Sequence, residues 1–339
     1  MKNSTIKDVA KMANVSIATV SLVIHDHKRI SPETKHKVQQ AIEQLNYHPS
    51  RSARGLVSRK TGNVGFILTN DHFLRTEPFY TQIFMGTEFE ARDHELYVLL
   101  ATVDSNIKDN NSLPRFILDK NIDGIIVAGK VPNLLIEKLK KFDLPIVFVD
   151  YLPSDKKSSV ISIDNEQGGV LATTHLIELG HTHIGFIGGD IEHPSINDRF
   201  NGYKKALVNA KIPFIQKYTE TEEDYPARAN GYNAARKLFS DHKNITAVFA
   251  CNDAMAIGAM QYLKDSGKLI PDDVSIIGFD DVVPEGMIIP ALCTVSVPKL
   301  EMGVEAMKLI SEQIKNPDFK NKKILVPVEL IVRQSTRKI

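Results

Sequence analysis

The stretch TIKDVAKMANVSIATVSLVIHDHKRISPETKHKVQQAIEQLN, residues 5–46, decides the reading of this chain. It carries three helix starts in quick succession. Thr5, followed three residues later by Asp8, predicts a capped first helix whose Ile6, Val9, Ala10 and Ala13 form one apolar stripe. Asn14 falls where the chain must turn, and Asn tolerates the left-handed backbone better than most residues. Ser16 predicts the cap of a second helix reaching about His25. Ser31-Pro32-Glu33 supplies a cap, a proline at the first helical position and an acid in the first turn of a third helix, with Val38, Ala41, Ile42 and Leu45 as its core face. Two short helices joined by about four residues and braced by a third make a helix-turn-helix.

The second helix divides into two faces. Val15, Val20, Val23 and Ile24 can be buried together, while Ile17, Ala18, Ser21, Leu22 and His25 recur on the opposite side. In a helix-turn-helix that outward face enters the major groove of a duplex. Thr5, Ser16, Thr19, Ser31 and Thr34 gather near helix starts. There a hydroxyl caps the helix, and the same hydroxyls and free N–H groups can grip phosphates.

Charge points the same way. The formal net charge of +1 over 339 residues divides into +7 for residues 1–61 and −6 for the remaining 278. A basic head on an acidic body is the pattern of a small nucleic-acid-binding module joined to something else, although a solvated basic face looks the same by charge alone. A length of 339 residues with 42% hydrophobic and 24% charged residues fits two or three packed domains. No run of about 18 apolar residues is present to span a bilayer. The start MKNSTIKDVAKMANVS has no apolar leader, so a cytoplasmic protein is expected. Cys251 and Cys293 are the two cysteines of the sequence and neither lies in a CxxC, so a disulfide scaffold or a thiolate cage for zinc has no ligands to build from.

The motifs TIKDVAKMANVSIATVS (5–21), SPETKHKV (31–38), LNYHPSRSARGL (45–56) and VRQST (332–336) strongly resemble those of the lactose/galactose repressor (LacI/GalR) family, and the resemblance runs the whole length. It implies a transcriptional regulator, a repressor of carbohydrate-utilisation genes, docking as a homodimer on palindromic double-stranded operator DNA. Residues 1–46 would be the DNA-binding domain, 47–61 the hinge and 62–339 the effector-binding and dimerisation domain. By itself YHPSRSARGLVSRK (47–60) reads as a basic linker. The resemblance makes it a hinge helix that orders on DNA, with Ala53 and Arg54 in the minor groove and Leu56 levering open a base step, at a cost of about a few kcal/mol in unstacking. Gly55 weakens such a helix by about 1 kcal/mol relative to Ala, so its folding should depend on DNA.

One departure from the family matters. Many members carry Arg on the recognition helix where this chain has Leu22, and Arg is the side chain that reads guanine bidentately. Ile17, Ala18 and Leu22 offer apolar contacts suited to thymine methyls, with His25 as the nearest polar reader.

From Asn63 onward, apolar runs alternate with helical patterns. The runs are NVGFIL (63–68), LYVLLA (96–101), GIIVAG (124–129), IVFVD (146–150), IGFIGG (184–189), AVFACN (247–252) and VSIIGFD (274–280). Helical spacing is clearest over 79–93, 166–179, 199–210, 228–239, 253–266 and 300–315. Strands apolar throughout and separated by helices predict parallel sheets covered on both faces, which bind ligands beyond the carboxyl ends of their strands. There are too many units for one sheet, so two lobes facing a cleft are expected. The fold class is therefore a small all-α helix-turn-helix head on an α/β two-lobed body of parallel doubly wound sheets. The resemblance implies that this body is periplasmic-binding-protein-like, with crossings near 161, 293 and 323. Lobe 1 would then hold 62–161 and 294–322, and lobe 2 would hold 162–293 and 323–339.

Asp150, Asn252, Asp253, Asp280 and Asp281 sit at or just after strand ends, and Arg199 at a helix start, as candidate ligand contacts; Asp253 and Asp281 read better as helix caps. Carboxylate, amide and guanidinium pair with vicinal hydroxyls while rings cover the apolar faces of a sugar. Against the family pattern Asp150, Arg199, Asn252 and Asp280 match effector-binding positions. Phe79 and Tyr80 match the start of the first long helix, and Tyr225 lies near the usual aromatic, offset by one residue. The implied effector is a sugar or sugar phosphate.

No GxGxxG follows a strand, and no GxxxxGK[ST], GxSxG or HExxH occurs, so no enzyme, cofactor or metal is expected. His181 and His183 in GHTHIG read as capping groups rather than metal ligands. The alternatives left open are a solute-binding protein with no DNA role, an enzyme on a doubly wound fold, and a regulator that responds to a nucleobase.

Overall fold

A computed structural model describes residues 4–24, 30–47, 60–73, 78–104, 113–153, 158–282, 287–316 and 318–339. The chain divides into two compact units, Met1–Thr61 and Gly62–Ile339.

The first unit is built by its caps. Helices α1 (Ile6–Met12), α2 (Ile17–Ile24) and α3 (Pro32–Gln44) begin after Thr5, Ser16 and Ser31 respectively. Asp8 Oδ2 accepts from both the Thr5 amide and its hydroxyl, at 2.8 and 2.7 Å. Ser16 Oγ accepts from the Thr19 amide at 3.0 Å, and Ser31 Oγ from the Thr34 amide at 3.3 Å. Each bond satisfies an amide that would otherwise face water unpaired at a helix start. Asn14 turns the chain between α1 and α2 at φ +52°. The core is Val9, Ala10, Ala13, Val20, Val23, Val38, Ala41 and Tyr47. Tyr47 was not expected there; it closes the bottom of the core after α3, where Ser4 Oγ also donates to the Leu45 carbonyl.

The second unit holds two six-stranded sheets. Sheet 1 contains β1 (Asn63–Thr69), β2 (Tyr97–Val103), β3 (Gly124–Ala128), β4 (Ile146–Val149), β5 (Ser159–Ile163) and a late strand, Lys323–Val326, in the order late strand–β5–β4–β3–β1–β2. Between them lie α4 (Asn70–Phe73), α5 (Phe79–Asp93), α6 (Arg115–Leu118) and α7 (Asn133–Leu139). Sheet 2 begins with β6 (Ile184–Ile187), β7 (Thr219–Glu220), β8 (Ala247–Ala250), β9 (Ser275–Asp280) and β10 (Cys293–Ser296). Its helices are α8 (Asn165–Glu178), α9 (Pro194–Asn209), α10 (Arg228–Asp241) and α11 (Asp253–Asp265). The chain then runs through α12 (Lys299–Lys315) and the late strand of sheet 1, β11, to β12 (Glu329–Ile331) of sheet 2, giving the order β12–β10–β9–β8–β6–β7. Every pairing is parallel except β10 with β12. The central strands β3, β6 and β8 are buried at every position, which is why they read as unbroken apolar runs.

The expected helices and strands stand within a few residues of their places, with one shift that matters. Helix α9 starts at Pro194, not at Arg199, because proline takes the first helical position and His193 its N-cap; Arg199 therefore sits in the second turn. Near the expected crossings, strands β5, β10 and β11 finish their pairing with a neighbour at Ile163, Ser296 and Val326.

The helices that flank the crossings meet at glycines. A Cβ at Gly202 of α9 would stand 2.1 Å from the Glu166 carbonyl of α8, and one at Gly86 of α5 would stand 2.0 Å from the Leu300 carbonyl of α12. Backbone contact of this closeness fixes α9, and with it Arg199, against α8.

Candidate functional site

In the first unit, α2 turns Val20 and Val23 into the core and leaves Ile17, Ala18 and Leu22 exposed, with Ser21 half-buried. The outward face expected from spacing is therefore present over its described part. Thr5, Ser16 and Ser31 are exposed at helix starts and Thr19 and Thr34 are half-buried beside them, their hydroxyls bonded to Ser16 and Ser31 at 2.9 Å. The same groups that cap the helices thus stand at their surface, able to meet phosphate oxygens. His25, Ala53, Arg54 and Leu56 lie outside the described residues.

In the second unit, the carboxyl ends of both sheets open on a cavity of about 340 Å³. All seven candidates, Phe79, Tyr80, Asp150, Arg199, Tyr225, Asn252 and Asp280, line it, although they come from segments up to 201 residues apart. Each sheet reverses its strand order there, between β1 and β3 and between β6 and β8, so neighbouring loops diverge and leave a crevice.

Each polar group in the wall is held by the fold. Asp150 follows β4 in the left-handed region at φ +57° and is buried, and Tyr80 donates to its Oδ2 at 2.9 Å. Arg199 is 5% exposed. Its Nε donates to Asn165 Oδ1 at 2.9 Å, its Nη1 donates to the Cys251 carbonyl at 2.7 Å and faces Asp280 Oδ1 at 3.3 Å, and its guanidinium lies 3.7 Å over the Phe279 ring. A planar cation so fixed can present its remaining donors to a ligand without losing rotamer freedom. Asn252 caps α11, accepting from the Met255 amide at 2.8 Å, and donates to the Pro226 carbonyl at 3.0 Å. That second bond holds the loop carrying Tyr225, whose hydroxyl reaches the Asp71 carbonyl across the cleft at 3.3 Å.

Two acids have other duties than the capping expected of them. Asp253 is 1% exposed and accepts from Thr294 Oγ1 at 2.7 Å and the Val282 amide at 3.0 Å. Burial, and then the neighbouring Asp280 carboxylate, push its pKa up to about 7. It does not cap α11, because Asn252 holds that position. Asp281 pairs with Arg333 Nη2 at 2.7 Å, which ties the VRQST segment to the end of β9. Ser335 completes that tie by accepting from the Cys293 amide and donating to the Ile276 carbonyl. Lys299, at the first turn of α12, donates its Nζ to the carbonyls of Asp280, Asp281 and Val297.

Sequence reading missed Thr69, Lys130, Asp190, His193, Ser195 and Asp224 in the cavity wall. Thr69 ends β1, and Lys130 and Asp190 follow β3 and β6 closely, so the strand-end rule would have found them if applied to every strand. His181 is buried and bonded to Thr246, Ser275 and the Arg337 carbonyl, a structural role. Among the described residues no group of three or more His, Cys, Asp or Glu is placed to hold a metal ion, and no helix is long and apolar enough to cross a membrane.

A capped helix-turn-helix and a two-sheet body whose interlobe cavity combines charged groups with aromatic rings define a DNA-binding regulator with a ligand site. Known proteins bear this out. Residues 5–50 match the bacterial regulatory proteins of the lacI family, and residues 173–336 match a periplasmic binding protein-like domain. The chain is 35% identical to catabolite control protein A of Priestia megaterium over 99% of its own length and all of that protein's. It is 32% identical to the HTH-type transcriptional repressor PurR of Aliivibrio fischeri over 98% of each. The lac repressor dimer bound to operator and an anti-inducer superposes with a TM-score of 0.82 at 25% identity, covering 99% of this chain and 100% of that one. The transcriptional regulator CelR in complex with cellobiose gives 0.74 at 28% identity, covering 98% and 99%. The chain belongs to the LacI family and is a DNA-binding transcriptional repressor with a ligand-binding domain. Its relatives are regulators and not enzymes.

Proposed function

We propose that this repressor controls carbohydrate-utilisation genes, binds a palindromic operator as a homodimer through α2 and the hinge segment 47–61, and is governed by a sugar or sugar phosphate held between the lobes. The observation that carries the reading is the convergence of Asp150, Arg199, Asn252 and Asp280 with the rings of Phe79, Tyr80 and Tyr225 on one cavity. Bidentate planar groups suit vicinal hydroxyls, and rings suit the apolar faces of a pyranose. The relative whose structure contains cellobiose supports the same reading.

The effector acts by closing or reorienting the lobes, which changes how the paired first lobes hold the two hinges. A ligand shifts operator affinity only by its differential binding to the two states, so operator DNA must change ligand affinity by the same factor.

The test is a thermal-shift screen of the full chain against sugars, sugar phosphates and nucleobases, followed by operator titration with and without each hit. A ligand at 100 times its Kd stabilises the body by about 2.7 kcal/mol. A nucleobase hit in place of any carbohydrate overturns the sugar reading. Loss of any salt-sensitive preference for one genomic fragment over random duplex overturns the operator reading.

A further inference from the structure

Among its described lining residues the cavity carries more carboxylates than cationic side chains. Asp71, Asp150, Asp190, Asp224 and Asp280 line it, against Lys130 and Arg199 as the lysine and arginine of its described lining. Arg199 is partly committed, since it faces Asp280 at 3.3 Å and spends Nε and Nη1 on Asn165 and the Cys251 carbonyl, which leaves its remaining donors for a ligand. A second hollow of about 290 Å³ opens alongside, shares Asp150, His193 and Ser195 with the first, and adds Asp164, Glu166 and Asp198 against Lys323.

Two carboxyls beside these hollows register the crowding of acids. Burial lifts the Asp198 carboxyl first, and Glu166 and Asp164 lift it further. Behind the wall, Asp280 adds to the burial that holds Asp253 up near 7. Carboxyls pushed up by acidic neighbours in addition to burial mark a region of negative potential, and low-dielectric walls sharpen it.

A phosphate ester brings a charge of about −1.5 to −2 at neutral pH and asks for forked cationic donors. The described lining has one arginine, two of whose three nitrogens already bond within the wall, and one lysine, against five aspartates. Sugar hydroxyls ask for the reverse. A carboxylate only accepts hydrogen bonds, so an excess of carboxylates is an excess of acceptors, which O–H donors match.

We infer that the effector is an uncharged sugar and that the cleft rejects its phosphorylated counterpart by charge. The inference rests on the sugar reading of the cleft and narrows it. It excludes the phosphate half of that reading.

The experiment uses matched pairs, several hexoses, pentoses and disaccharides each beside its phosphate ester, titrated calorimetrically into the full chain. The sugar that binds should do so at least about tenfold more tightly than its ester, since like charges brought together cost affinity steeply. A double variant, Asp190→Asn with Asp224→Asn, should narrow that ratio. An ester that binds as tightly as its parent overturns the inference, and so does a ratio the double variant leaves unmoved, because shape rather than charge would then discriminate. Where no sugar of either kind binds, the sugar reading itself falls, and inorganic phosphate decides the charge inference. Its stabilisation of the double variant against heat should exceed its stabilisation of the unsubstituted chain, and equal stabilisation overturns the inference.

Discussion

On α2, Ile17 and Leu22 stand 45% and 38% exposed, with apolar side chains facing outward from a core of eight residues. In the cleft, Arg199 is 5% exposed and is held by an amide, a carbonyl, a carboxylate and a ring face. The two regions meet different ligands under different constraints. A duplex is large and brings its own shape, so the reading face proposed on α2 needs only to be presented, which the caps at Ser16 and Ser31 do. A small molecule must be met by groups fixed before it arrives, because ordering them afterwards would consume its binding energy. In the head, then, function and stability are separable by substitution; in the body they are fused.

That contrast can be broken most directly at Arg199. Arg199→Ala removes the cation that Asp280 and Asn165 share in the wall, and loss of one partner of a buried pair costs about 3–5 kcal/mol. Chemical denaturation should show that loss, and the response of operator binding to ligand should vanish with it.

Next in size is the pH dependence set by Asp253. Its folded pKa is near 7, while an unfolded aspartate titrates near 3.9, so the folded chain binds the extra proton between those values. Stability should therefore fall as pH rises from about 4 to about 7, by at most about 1.4 kcal/mol per unit, and flatten above. Urea midpoints across that range should lose this slope in Asp253→Asn, whose amide can still accept from Thr294 or Val282.

A smaller effect is expected at the helix crossing. Gly202→Ala drives a methyl group into the Glu166 carbonyl and should destabilise the body by about 1–3 kcal/mol, with a weakened ligand response because α9 carries Arg199. Ser31→Ala removes the cap of α3 and should cost the head about 1 kcal/mol. Smallest in stability is Leu22→Ala, which should change unfolding by no more than about 0.5 kcal/mol because the side chain is exposed. It should nevertheless alter operator choice, and a selection from random duplex reads that directly. A selected site with an obligate guanine opposite Leu22 would contradict reading by methyl contact and shape. A large stability loss in Leu22→Ala would contradict the separation of function from stability in the head.

Much of the fold was legible because its causes are local. Thr5 with Asp8, Ser16, and Ser31-Pro32 state where helices begin whatever surrounds them, and the buried strands read as apolar runs between helical stretches. Less legible were β5, β10, β11 and β12, of five, four, four and three residues, which carry no punctuation of their own and become strands through their neighbours. The start of α9 was misplaced because the helical period is clearest from Arg199 onward, whereas proline had already set the first turn at 194. Each candidate in the cleft carried a strand-end or motif signal, but Asp71, Asp190 and Asp224 did not stand out among the acids of an acidic body.

The amino-acid order by itself determined the charge division, the three capped helices of the head, the parallel character of both sheets and the family. Those properties depend on spacing and on contacts within a few residues. Only the tertiary structure decided that Arg199 would be locked to Asn165, Cys251 and Asp280, that Asn252 rather than Asp253 would cap α11, and that the carboxylates of two lobes would face one cavity. Those partners come from different strands and helices, and they meet because both sheets reverse their order at the same cleft.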